Sequence, residues 1–204
     1  MLNKAVDCIK SFKMRNHPFI HYVNDSPTVP NEVAKKLKSL AKKTYAPIDF
    51  TGSRADYGAS RLFIKEDSDV DNGIKQFALT LDSLEFRIKL QEKFNTSLLK
   101  ASLRLELVTD VNGFWQVPHT DVKDKKITWL TYLSTVEECG EAGTSLANTD
   151  KEFVGSAIFG FNKGLIFIPS DDTWHGFRKS ITGERRVFII NYVENWKDSH
   201  ELYK

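Results

Sequence analysis

From residue 101 onward the chain changes texture, and that change restricts its fold more than any other feature. Eight short segments follow one another: ASLRLELVTD (101–110), GFWQVPHTDV (113–122), KKITWLTYLS (125–134), GTSLAN (143–148), KEFVGSAIFGF (151–161), GLIFIPS (164–170), DTWHGFRKS (172–180) and ERRVFIINYV (184–193). Each is rich in β-branched or aromatic residues, and turn formers separate them. Many short strands at this spacing make a barrel or a jelly roll. FNKG at 161–164 is a hairpin-turn candidate within the series.

The preceding residues read differently. Leu2, Ala5, Val6, Ile9 and Phe12 recur at helical spacing over 2–14. HPFIHYVND (17–25) is short and aromatic and ends in turn residues, which predicts a strand. Pro30 opens a helix with Val33, Leu37 and Leu40 on one face. Residues 48–75 are rich in turn formers and acids and read as loop with room for one short strand, long enough to act as a lid. Residues 74–99 are helical in one or two pieces. The expected class is α+β. Residues 1–100 form a helical support region with an opening strand, part of the same domain. Residues 101–195 form the β core, with helices packed on one side, and 196–204 form a polar tail that frays or docks loosely.

Charge excludes some partners. With 29 basic and 27 acidic residues the net charge is +2, so nothing argues for nucleic acid or a membrane surface. The basic stretch KKLKSLAKK (35–43) reads as the solvated face of a helix. No apolar run approaches the about 20 residues of a membrane span, and the first residues lack the apolar segment of a signal peptide. Cys8 and Cys139 are far apart and lie in no paired motif, which fits two free thiols in a reducing, cytoplasmic setting.

The chemistry concentrates in VPHTDV (117–122). Strand alternation puts His119 and Asp121 on one face, together with Trp115 and Val117. Burying both polar groups costs several kcal/mol unless they find partners. A second strand histidine, His175, supplies one. Two imidazoles and one carboxylate, two of them spaced i, i+2, make the donor set of a non-haem Fe(II) facial triad. Taken alone, H-x-D is weak, and a core histidine bonded to Asp121 or to a carbonyl is the alternative. Further on, Arg185, Val187, Ile189 and Asn191 share one face of RRVFIINYV, and Arg186, Phe188, Ile190 and Tyr192 share the other. Both faces are apolar, so the strand is covered on both sides and one arginine points into an enclosed space or its mouth. Arg186 suits an exposed strand end better than Arg185 does. A buried guanidinium wants a carboxylate. Apart from Asp121, no acid in the nearby strands is an obvious mate, and a small dicarboxylate ligand would satisfy it.

H-T-D at 119–121, His175, and G-x-R at 183–185 resemble the Fe(II)- and 2-oxoglutarate-dependent oxygenases. The likeness is greatest to the prolyl-4-hydroxylase-like branch, where ITWLTYLS (127–134), AGTSL (142–146) and residues 17–37 also find counterparts. The resemblance implies a double-stranded β-helix (jelly roll) core. It implies iron held by His119, Asp121 and His175, and the far carboxylate of 2-oxoglutarate held by Arg185 and Tyr132. O2 is the other cosubstrate and ascorbate a further candidate cofactor. The implied reaction is hydroxylation coupled to conversion of 2-oxoglutarate to succinate and CO2. Asp121 favours hydroxylation over halogenation, since halogenating relatives lack that carboxylate. One departure is Thr109, where members of the branch often carry a tyrosine near the metal-bound end of the cosubstrate; Arg104 or Gln116 are stand-ins.

Thr128, which shares the face of Tyr132, and Asn191, which shares that of Arg185, are further ligand candidates or simply packing. Trp115 leans to the pocket wall and Trp129 to the core; Trp174 serves either. Arg178 and Lys179 meet an anionic substrate or solvent. The substrate class stays open among free or peptidyl proline, another amino acid, and a sugar or nucleotide-linked metabolite. The competing reading is a metal-binding jelly roll without turnover. A cupin-type enzyme would show more histidines around the first motif.

Overall fold

The computed structural model of the 204-residue chain describes residues 1–40, 61–178, 182–196 and 200–204. In chain order its elements are α1 (Leu2–Lys10), β1 (Lys13–Arg15), β2 (His21–Asn24), α2 (Asn31–Ser39), β3 (Arg61–Ile64), α3 (Asn72–Asp82), α4 (Leu84–Phe94), β4 (Ser102–Asp110), β5 (Gln116–His119), β6 (Lys125–Tyr132), α5 (Val136–Cys139), β7 (Ser145–Ala147), β8 (Phe153–Ser156), β9 (Gly164–Phe167), β10 (His175–Phe177) and β11 (Arg185–Val193). All eight expected C-terminal segments contain a strand. The helical stretch after residue 74 is two pieces because Ser83 stops one and starts the next: its backbone leaves the helical region, and its hydroxyl accepts from Phe86 N–H. Asn95, in the left-handed region at φ 51°, ends α4.

The strands form two antiparallel sheets. One runs β1-β2-β9-β6-β11-β4-β3 and the other β5-β10-β7-β8. At the centre of the large sheet, β11 pairs with β4 over nine residues, from Arg185 opposite Asp110 to Val193 opposite Ser102. Alternation sends Leu103, Leu105, Leu107, Phe188, Ile190 and Tyr192 towards the helices, where they share a core with Phe77, Leu81, Phe86 and Leu90. The opposite face carries Val108, Leu130, Leu165, Val187 and Ile189, which pack with Leu146 and Phe177 of the small sheet. Two cores on two faces explain why β11 is buried throughout and apolar on both faces at its middle. Each fully buried Leu, Ile or Phe contributes about 1.5–3 kcal/mol.

Several expectations change. FNKG does turn, with Asn162 at φ 59°. However, β8 pairs with β7 while β9 pairs with β2 and β6, so the turn carries the chain from one sheet to the other and closes no hairpin. Asn162 is buried and bonds both Val29 N–H and Val29 O, which ties this crossover to the entry of α2. Within 48–75, residues 61–64 form β3 and 72–75 begin α3, so the second half of the stretch expected as a lid is partly regular structure; residues 48–60 of it lie outside the described residues. Lys179 also lies outside them. The last residues dock: Leu202 and Tyr203 are buried, and Tyr203 N–H donates to Leu103 O at 2.8 Å. Arg186 is not exposed at a strand end. It points to the helical side, where its guanidinium caps the C-terminus of α2 through the carbonyls of Lys38 and Leu40. Among the described residues, no helix is long and apolar enough to cross a membrane.

Close approach of β9 to β6 needs a glycine. A Cβ at Gly164 would sit 2.2 Å from Leu130 O and 2.9 Å from the Thr28 methyl. Gly164→Ala is expected to lower stability by about 1–3 kcal/mol through forced backbone movement. Urea unfolding midpoints measure this, and an unchanged midpoint would mean that β9 shifts at no cost.

Candidate metal and ligand site

Strands β5 and β10 pair so that His175 lies directly opposite His119, with ring centroids 4.4 Å apart. The register slips between His175 and Phe177, which faces Gln116, and this bulge lets both Gln116 and His119 reach the cavity between the sheets. Each imidazole is oriented by its own backbone. His119 Nδ1 is 3.0 Å from Val117 O, and His175 Nδ1 is 2.9 Å from Thr173 O. A carbonyl only accepts, so each Nδ1 carries a proton, and Nε2 is the lone-pair atom of the neutral ring. Metal-binding histidines are oriented in this way. Burial lowers the His175 pKa to about 4, although the Asp121 carboxylate opposes the shift, so the ring is neutral at pH 7.

Asp121 is not a strand residue. β5 stops at His119, and Asp121 lies just beyond it. Its Oδ1 accepts from Lys125 Nζ at 2.5 Å and its Oδ2 from Thr128 Oγ1 at 2.6 Å. Burial alone would raise its pKa. The charges of Lys125 and His175 and these hydrogen bonds outweigh burial and hold the carboxyl well below the usual carboxylate range. Asp121 is therefore a carboxylate committed to an ion pair. Among the described residues, no three such side chains stand in a finished metal-binding cluster. The donor types fit Fe(II), and a divalent cation would compete with Lys125 for Asp121.

Arg185 is buried, as the two-faced strand required, but it has the mate that the sequence hid. Asp110, directly across the β4–β11 pair and fully buried, accepts from Arg185 Nη1 at 2.5 Å. Arg185 Nε donates to Ala142 O at 2.7 Å and Nη2 to Thr144 Oγ1 at 3.3 Å. Its guanidinium also lies beside the rings of Phe177 and Tyr132, 4.9 and 5.4 Å from their centroids. Tyr132 does not line the cavity; its hydroxyl donates to Thr144 Oγ1 and accepts from Thr144 N–H, both at 3.0 Å. Thr144, unrecognised in the sequence, reaches the cavity instead. Among the five N–H donors of Arg185, three are engaged by these groups.

The remaining expectations resolve along one row of the sheet, where Phe167, Thr128, Asn191 and Arg104 are cross-strand neighbours. Asn191 is fully buried; its amide donates to Thr128 Oγ1 at 3.3 Å and its Oδ1 accepts from Arg104 Nη1 at 3.1 Å. Thr128 and Asn191 thus brace Asp121 and Arg104. Thr109 shares the parity of Leu107 and faces the helices, so it takes no part in the cavity, whereas Arg104 and Gln116 do line it. Trp115 is 40 % exposed and lies outside the cavity wall, and Trp129 is in the helix-side core. Trp174 packs under Lys151. One cavity of about 470 Å³ joins His119, Asp121 and His175 to Arg185 in one direction and to Arg104 in another. That is the volume of a small-molecule site.

The chain matches a Pseudomonas putida prolyl-4-hydroxylase structure at 11 % identity and TM-score 0.54, covering 96 % of this chain and 100 % of that one. It matches AviO1 from Streptomyces viridochromogenes at 12 % identity and TM-score 0.55, covering 96 % of each chain. A Trichoplax adhaerens prolyl hydroxylase in complex with a hypoxia inducible factor peptide fragment matches at 13 % identity and TM-score 0.54, covering 94 % and 88 %. No family model and no curated protein sequence matches. The chain therefore has the fold of these prolyl hydroxylase structures, a mixed helix and antiparallel-sheet architecture, over nearly its whole length.

The Asp110–Arg185 pair is open to direct measurement. Arg185→Leu removes the guanidinium partner of a buried carboxylate and is expected to destabilise by about 3–5 kcal/mol, while the double replacement of both residues by leucine restores most of the loss. Additive losses in a urea double-mutant cycle would show that the two side chains are uncoupled.

Proposed function

We propose that this protein is an Fe(II)- and 2-oxoglutarate-dependent oxygenase that hydroxylates a small molecule or an amino-acid or peptidyl substrate, forming succinate and CO2. The observation that carries the reading is one cavity with two backbone-oriented imidazoles and a carboxylate at one place and a buried arginine at another. The strand orders β9-β6-β11-β4 and β5-β10-β7-β8 within the two sheets support a double-stranded β-helix core. The fold likeness to prolyl hydroxylases, one of them holding a peptide, supports the general class. Two free cysteines, Cys8 and Cys139, support a reducing, cytoplasmic setting.

In this reading His119, Asp121 and His175 hold the iron. When bound, iron and 2-oxoglutarate supply the oxidising chemistry with O2, and ascorbate would serve only to keep the iron reduced. The chain's own residues do the rest. The Val117 and Thr173 carbonyls hold the two Nε2 lone pairs ready for the metal. Thr128 keeps the Asp121 carboxylate aimed while Lys125 gives it up. Arg185 offers its remaining N–H donors to the far carboxylate of 2-oxoglutarate, and Thr144, carried by Tyr132, adds a hydroxyl beside it. Asp110 offsets part of the arginine's charge, so the cosubstrate meets a moderated cation. The apolar floor of Leu130, Val187 and Ile189 limits water in the cavity.

The Asp121–Lys125 ion pair is the specific feature that favours the second reading, a jelly roll that binds without turnover. Anaerobic addition of Fe(II) and then 2-oxoglutarate separates the two. The expected result is a weak visible charge-transfer band that needs both additions and is absent in His175→Ala. Arg185→Gln is expected to keep the band but to raise the half-saturating 2-oxoglutarate concentration at least about ten-fold, the loss of one charge-assisted contact. No band in the parent protein would leave the binding module.

A further inference from the structure

Strand β6 carries one extra residue near its start. Tyr192 of β11 pairs with Ile127 and Val193 with Lys125, so Lys126 bulges out of the ladder. Strict alternation would send Lys125 to the helix side with Ile127 and Trp129. The bulge turns it instead to the cavity, which it lines together with Asp121, Thr128 and His175. Lys126 pairs with Glu194 in a more exposed position. The Lys125 ammonium meets Asp121 Oδ1 at 2.5 Å, with the two side chains only 16 % and 8 % exposed. Lysine is uncommon in so enclosed a place. Apolar residues of the same volume would serve the fold as well. A bulge that aims a cation at one residue of the candidate metal site points to a function in that site.

A divalent cation on Asp121 takes this partner away from Lys125. It also repels an ammonium that stands one hydrogen bond from the same carboxylate. Lys125 then needs another anion in the same place. A ligand oxygen that joins the cation lies beside the carboxylate already on it, within reach of Lys125. One ammonium answers one negative charge, and the group it holds in the metal-free protein is a carboxylate. The end of a 2-oxo acid that chelates a metal carries such a carboxylate. The other polar groups of the cavity suit that end less well. Arg185 stands with Asp110 and Thr144 in another direction, and Arg104 is held by Asn191 and Glu201 at the far wall. Gln116 has no charge, and Thr109 faces the helices. We propose that Lys125 is a specificity residue that exchanges partners. It holds Asp121 until a divalent cation binds, and then holds the metal-proximal carboxylate of a 2-oxo acid. Metal and 2-oxo acid therefore bind as a coupled pair, and the metal alone is held weakly. This inference rests on the metal-site reading above and adds to it the residue that answers that end of the cosubstrate.

Binding of Mn(II), followed by the loss of the EPR signal of the free ion, tests this without turnover. Mn(II) is titrated into the full chain alone and with 2-oxoglutarate, 2-oxobutyrate or glutarate. 2-Oxobutyrate keeps the metal-proximal carboxylate and lacks the far one, and glutarate lacks the oxo group. In the parent protein both 2-oxo acids are expected to tighten Mn(II) binding at least about ten-fold, and glutarate to leave it unchanged. Lys125→Met is expected to bind Mn(II) alone about ten-fold more tightly and to lose at least about ten-fold of the tightening by either 2-oxo acid. Lys125→Arg is expected to retain the coupling. The opposite signs matter, because a site merely loosened by the substitution would weaken both. Arg185→Gln is expected to reduce the coupling for 2-oxoglutarate and to spare that for 2-oxobutyrate, which separates the two ends of the cosubstrate. Thermal midpoints check that the variants fold, and Lys125→Gln replaces Lys125→Met if the latter does not. The proposal is overturned if the parent shows no coupling, if Lys125→Met weakens the metal alone, or if it keeps the coupling. Coupling in the parent that survives Lys125→Met would sink this inference alone. Coupling lost in Lys125→Met, with no charge-transfer band in the parent, would sink the oxygenase reading alone. No Mn(II) binding in any of these proteins would sink both.

Discussion

The nine-residue pairing of β4 with β11 is the constraint on which the rest of the structure depends. These two strands are covered on both sides, by helices on one and by the small sheet on the other. Their alternation therefore divides every residue between two interiors, and a polar residue on either face is buried whatever its position. The strands meet this by putting partners in register. Arg185 faces Asp110 at one end and Asn191 faces Arg104 at the other, with Val187 and Ile189 between. Six residues of strand separate the two ends, roughly 20 Å at about 3.3 Å per residue. The cavity is thus polar at both ends and apolar along its floor.

The candidate metal site depends on a different and weaker device. β10 is only three residues long, and its pairing with β5 slips after one residue. Direct register before the slip puts His119 opposite His175, while the Val117 and Thr173 carbonyls orient the rings. Asp121 arrives from outside the strand and is stabilised by Lys125 and Thr128. The same hydrogen-bond chain continues from Thr128 to Asn191 and Arg104. One polar row therefore braces both the carboxylate near the histidines and the arginine at the far wall.

The C-terminal residues are part of this arrangement. Leu202 and Tyr203 anchor them against β4, and that anchoring brings Glu201 to Arg104. On sequence grounds the polar stretch ENWKDSHELYK offers no apolar period, and among its described residues Leu202 and Tyr203 bury themselves while Glu201 and Trp196 meet Arg104. β3 was similarly faint: four residues with no flanking pattern, which gain their place by pairing along β4.

Much was legible in the sequence where the signal is local. Enrichment in β-branched and aromatic residues between turn formers marked all eight C-terminal strands, and helical spacing marked α1 and α2, because burial selects those residue types and spacings; the short α5 left no such mark. H-x-D, the second histidine and the arginine of an apolar strand were legible as chemistry, because those residue types are costly to bury without a purpose. What required the tertiary structure was pairing between distant strands. Asp110 is 75 residues from its partner Arg185, and no local pattern announces which carboxylate a register will place across from which guanidinium. The same holds for Thr144 standing in front of Tyr132, for Thr109 facing the helices, and for Glu201 closing the wall beside Arg104. Local burial determines which residues are inside; only strand register and chain return determine which of them meet.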